Sequence, residues 1–169
     1  MKGMQPEELL GRLLSAETTP HSRTRPPAGR DRSCDHWTGP VLLERAAYLR
    51  KMARAGEGSA SDTIREFGGH SANLHVRVRN GPAEMHEDFA LVFVVLEGRA
   101  TLVAGGVLEK PRKAGPGEMT GAGIEGGSSH ELRPGDVAHI AAGTPHQVLV
   151  AGEKAFSYLA LKIREIEEQ

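Results

Sequence analysis

The chain is poor in several things that would otherwise define it. It has a single cysteine, Cys34, so no disulfide can form within it and a disulfide scaffold is excluded. Aromatic residues make up only 4% of the 169 residues. No apolar run is long enough to span a bilayer, and the Leu9-Leu10-Gly11-Arg12-Leu13-Leu14 patch is short, broken by charge and unlike a signal peptide. Neither sign of charge dominates: 21 basic and 22 acidic side chains give a formal charge of −1. That removes the global electrostatic case for a nucleic-acid or anionic-membrane partner. A cytoplasmic location is the default expectation.

What is abundant is glycine, at 21 residues, as expected of a turn-rich β-protein whose hairpins and bulges need φ > 0. Residues 1–40 stand apart. Leu9, Leu10, Leu13 and Leu14 allow a short amphipathic helix, and the Pro- and Arg-rich stretch from Thr19 to Thr38 reads as a flexible arm. A helix is expected over 41–55. Thr38 and Pro40 give its start, Leu42, Ala46, Leu49 and Ala53 its apolar stripe, and Gly56 and Gly58 its end. The stripe suits packing across a sheet or a subunit contact.

After the helix the periodicity falls to two. Leu74, Val76 and Val78 alternate with His75, Arg77 and Arg79, which reads as a half-buried strand with the polar set facing solvent or a pocket rim. Asn80-Gly81 is a hairpin signal. Leu91–Leu96 is a continuous apolar run expected to be covered on both faces, with Glu97-Gly98 turning the chain into a hairpin partner over 99–103. Residues 107–130 read as a long loop-like insertion, a lid or an arm. Phe156–Ile163 is the last strand.

The most specific segment is Pro134–His146. A Pro-Gly-Asp turn leads into a short strand from Val137 to Ile140. A second turn through Gly143 then delivers His146 to the start of an apolar strand, where it is well placed to bind a metal. This spacing resembles the second signature motif of the cupins, small β-barrel proteins. Gly135, Gly143 and His146 match, and Ala141 replaces the usual proline. Upstream, His86 and Gly98 match the first cupin motif, with Glu84 where its first histidine stands and Leu91 where its glutamate stands. The resemblance covers about residues 70–163. It implies an all-β fold, the cupin β-barrel (double-stranded β-helix, or jelly roll), as a domain over 41–169 behind the N-terminal arm.

The same resemblance implies a metal site. Glu84 and His86 are two residues apart and so share a strand face. With His146 they make a two-histidine, one-carboxylate set suited to Fe, Mn, Ni or Zn with open positions. Glu87 and Asp88 are alternative carboxylates, or a solvated acidic corner. His139 is the candidate for a fourth ligand or a catalytic base, its alternative being a histidine on the strand face. Apolar neighbours such as Leu91, Phe93, Val95, Val148 and Leu159 suggest a dry, narrow pocket. Two functions stand: a metal-dependent enzyme on a small organic substrate, of the dioxygenase type, or a non-catalytic small-molecule-binding protein with no obligatory metal. A homodimer is expected, with the Leu42-Ala46-Leu49 stripe and the arm as available covers for sheet edges.

Overall fold

The computed structural model describes residues 34–150, 152 and 154–165. The expected short helix at Leu9–Leu14 and most of the arm lie outside the described residues. Among the described residues one helix, α1 (Gly39–Ala55), is followed by thirteen strands, and none of their helices is long and apolar enough to cross a membrane. One sheet has the order β1-β2-β13-β4-β11, formed by Ser59–Glu66, His70–Arg77, Phe156–Arg164, Phe89–Glu97 and Val137–Ile140. The other has the order β10-β5-β12-β3-β8-β7, formed by Ser128–Leu132, Ala100–Ala104, His146–Val150, Ala83–His86, Glu118–Gly121 and Arg112–Gly115. Two short strands, β6 (Val107–Leu108) and β9 (Ile124–Glu125), pair with each other.

The inner faces of the two sheets share one core. Leu91, Phe93 and Val95 of β4, with Phe156 and Tyr158 of β13, meet Leu102 of β5 and Val148 of β12. Outside the first sheet lies a second core. Ala46 and Leu49 of α1 press on Leu74 and Val76 of β2, which are fully buried. Leu42, Ala46, Leu49 and Ala53 are all buried, so the helical stripe is used inside the chain and is not available to a second subunit. Arg50 ties α1 to Glu97 at 2.5 Å, and Arg45 pairs with Asp62 of β1.

This second core inverts the expected sidedness of β2. Leu74 and Val76 face the helix, and Ser71, Asn73, His75 and Arg77 therefore face the barrel interior. Strand β1, absent from the sequence reading, pairs with β2 beneath α1.

Both expected hairpins are corners instead. The chain leaves β2 through Asn80-Gly81 and enters β3 in the other sheet, with Asn80 Oδ1 accepting from Val150 N–H and Gly81 N–H bonding to the Val148 carbonyl. Likewise β5 does not pair with β4 but lies between β10 and β12. The turn residues mark where the chain bends; the strands it next meets are set by the sheet that needs an edge filled. The expected insertion is also largely strand, since β8 within it pairs with β3.

Gly98 makes the β4–β5 corner at φ +81°, and a Cβ there would lie 2.1 Å from the Ala155 carbonyl oxygen. Gly98→Ala meets both a backbone clash and a disfavoured φ, and is expected to lower unfolding free energy by about 2–4 kcal/mol in urea denaturation. A loss under about 0.5 kcal/mol would show that the corner relaxes freely.

Candidate metal centre in the barrel

The site is built by strand register. β3 is only four residues long and lies between β12 and β8. Glu84 stands opposite His146 on one side and Thr120 on the other, and His86 stands opposite Glu118. Cross-strand partners share a face. Glu84, His86 and His146 therefore converge, and their ligand atoms lie within 4.8 Å of one another. Such a set is able to hold a metal. The two imidazole centroids are 5.3 Å apart, and His146 is 3% exposed.

One nitrogen of each ring is already engaged. Nδ1 of His146 lies 3.1 Å from the Thr144 carbonyl, which only accepts, so Nδ1 carries the proton and Nε2 keeps its lone pair. Nδ1 of His86 contacts a Glu118 carboxylate oxygen, and the other oxygen of Glu118 accepts from Lys162 Nζ at 2.6 Å. Carboxylate contacts of this kind fix the tautomer of a ligating histidine. Burial pushes the His146 pKa below its usual value; the Thr144 hydrogen bond and Glu84 oppose this, and His86 and Arg77 add to it. Burial disfavours the Glu118 carboxylate, but hydrogen bonds from Lys162 and His86 outweigh it and lower its pKa.

Around the cluster is a cavity of about 240 Å³. Leu91, Phe93 and Val148 form its apolar wall, as expected. Val95 and Leu159 do not line it, and the opposite wall is polar. That wall is the inverted face of β2: His75 and Arg77 point inward beside Tyr158 of β13. His75 stacks on Tyr158 at 5.2 Å and 11°, and Arg77 Nε donates to the Tyr158 hydroxyl at 3.4 Å. Arg77 also faces Glu84 at 3.8 Å.

His139 is not brought to this cluster. It shares a face with Val137 as parity requires, but that face is the outer one. Its partner is Val92, and the pocket-lining neighbours are Leu91 and Phe93, one residue to either side. His139 is exposed, beside His130 and Glu131 in a surface depression. Glu87 and Asp88 lie in the turn after β3, outside the cluster. The residues missed by sequence reasoning are Glu118, Lys162, Tyr158 and the inward placement of His75 and Arg77. One signal for the last was present: the apolar stripe of α1 needed a sheet face, and Leu74, Val76 and Val78 supplied it.

No family model matches the chain, and no curated protein matches it. Among solved structures it is similar to TT1209 of Thermus thermophilus, at 18% identity and a TM-score of 0.52, over 72% of this chain and 93% of that one. It is also similar to a conserved double-stranded β-helix protein of Klebsiella pneumoniae, at 14% identity and 0.48, over 63% and 77%. A third is a Cupin 2 conserved barrel domain protein of Salinispora arenicola, at 15% and 0.45, over 62% and 75%. In the chain itself, two antiparallel sheets share a core, with the first motif on β3, β4 and the Gly98 corner and the second on β11 and β12. The fold is the cupin barrel. Its interior is a metal-competent cluster on one sheet facing a cationic and aromatic wall on the other.

The buried His75 carries a pH signature. Burial, then repulsion from Arg77, lowers its pKa from 6.5 to about 4. The unfolded chain binds this proton below pH 6.5 while the folded chain does not until about pH 4, so stability falls with acid across that window. From about pH 7 to about pH 4.5 the wild type is expected to lose about 2–3 kcal/mol from this group, on the ~1.4 kcal/mol per pKa unit scale. His75→Gln removes the titration, and denaturation at both pH values should show the smaller loss in the variant. Equal losses would mean that His75 is not buried neutral.

Proposed function

We propose that this chain binds a divalent transition metal through Glu84, His86 and His146 and acts on a small organic substrate in the barrel. The observation that carries this is the convergence of one carboxylate and two imidazoles whose Nδ1 atoms are already committed to Thr144 and Glu118. A two-histidine, one-carboxylate donor set suits Fe, Mn, Ni or Zn. When bound, such an ion supplies Lewis-acid polarisation and, if redox-active, oxygen chemistry of the dioxygenase type.

The chain's own groups then act around it. Glu118 holds the His86 ring, and Lys162 holds Glu118. Leu91, in the place of the usual cupin glutamate, leaves an apolar wall rather than a fourth protein donor, so substrate has room beside the three ligands. His75, kept neutral, offers a hydrogen bond without adding charge. The exposed His139 is not assigned a catalytic role.

A metal-free binding pocket is the second reading. It is favoured by the Arg77–Glu84 contact, which lets Glu84 serve as a counterion rather than a ligand.

Metal analysis separates the two. The parent is expected to hold about one equivalent of a transition metal after reloading, and Glu84→Ala, His86→Ala and His146→Ala each to lose it. Glu118→Gln should retain the site at roughly 10–100-fold lower affinity, the usual cost of removing a partner behind a ligating histidine. A parent that takes up no metal would favour the binding module.

A further inference from the structure

The charges of the pocket do not close once a metal is present. Glu84 is the only carboxylate among the described residues lining the cavity, and Arg77 and Lys162 are its two cations. Lys162 is paired with Glu118 at 2.6 Å. Arg77 is different. Its 3.8 Å approach to Glu84 is beyond hydrogen-bond range, and its Nε bond to the neutral Tyr158 hydroxyl is long at 3.4 Å. The Arg77 side chain is only 12% exposed. A buried guanidinium needs a counterion. Glu84 serves only while it is not ligating, because a divalent ion draws its charge away.

The sequence makes room for this arginine. Gly81 lies against the guanidinium, where a Cβ would sit 2.6 Å from Nη1. The fork is thus held in the barrel beside the metal-ligand cluster, with a planar geometry suited to a carboxylate.

From this we infer that the pocket takes a small organic carboxylate, its acid group on Arg77 next to the metal position. The inference rests on the metal reading above and names its substrate class. The size is consistent: a cavity of about 240 Å³ lies below the roughly 300–1,000 Å³ of pockets for drug-sized ligands, so the ligand is small. A neutral ligand of the same shape leaves Arg77 and the ion uncompensated.

The test uses the full chain loaded with Co(II), whose visible absorption reports metal occupancy separately from ligand binding. Malonate and its uncharged diamide, malonamide, are then titrated calorimetrically. Malonate is expected to bind at least tenfold tighter than malonamide. Arg77→Met should keep Co(II) and bind malonate at least tenfold more weakly, with Arg77→Lys in between. Equal binding of the two probes to the wild type would overturn the inference without need of any variant. A malonate preference that persists in Co(II)-loaded Arg77→Met would also overturn it, since the ion alone would then hold the anion. If the wild type takes up no Co(II), the metal reading fails on its own. Malonate binding by that metal-free chain, lost in Arg77→Met, would then sustain the carboxylate assignment, and its absence would end both.

Discussion

Everything functional in this molecule depends on the pairing of one four-residue strand. β3 is held between β12 and β8, and the register of those two ladders decides which side chains meet. Glu84 falls opposite His146, and His86 opposite Glu118. A slip of one residue would turn Glu84 and His86 out of the barrel and bring Ala83 and Met85 in. The pairing is pinned at both ends: Gly81 N–H is bonded to Val148, and Gly143 N–H to the His86 carbonyl. Backbone hydrogen bonds therefore fix the geometry of the side-chain cluster.

The second constraint is α1. A sheet normally turns its apolar face to the barrel interior, but β2 gives that face to the helix, where Leu74 and Val76 are sealed by Ala46 and Leu49. The consequence is a polar face turned inward, which has to be satisfied or used. It is partly satisfied by the stacking of His75 on Tyr158 and the Arg77–Tyr158 hydrogen bond. What remains only weakly matched, the guanidinium fork, lies beside the ligand cluster. Covering one face of a sheet with a helix thus created the chemical character of the opposite one.

These two features also explain a division within the barrel. The end built from Val95, Leu102, Phe156 and Leu132 is packed and apolar. The end around β3 opens into a cavity because its inward side chains are histidines and charged groups that do not interdigitate as aliphatic ones do. Glu118 and Lys162, which come from β8 and β13, complete the support of His86 from opposite sheets.

The sequence by itself determined the class of fold, the helix with its buried stripe, and the identities of Glu84, His86 and His146, because turn residues, period and motif spacing are local properties written in consecutive residues. It also determined that His139 shares a face with Val137, since parity is local. It did not decide which face, and the expectation that His139 assists the site was wrong for that reason: its partner Val92 looks outward. Sidedness depends on what covers a sheet, and pairing depends on which edge is open. Both are settled between segments far apart in the chain. Hence only the tertiary structure turned His75 and Arg77 inward, made strands of the expected insertion, brought Glu118 across 32 residues to His86, and joined Tyr158 to the wall.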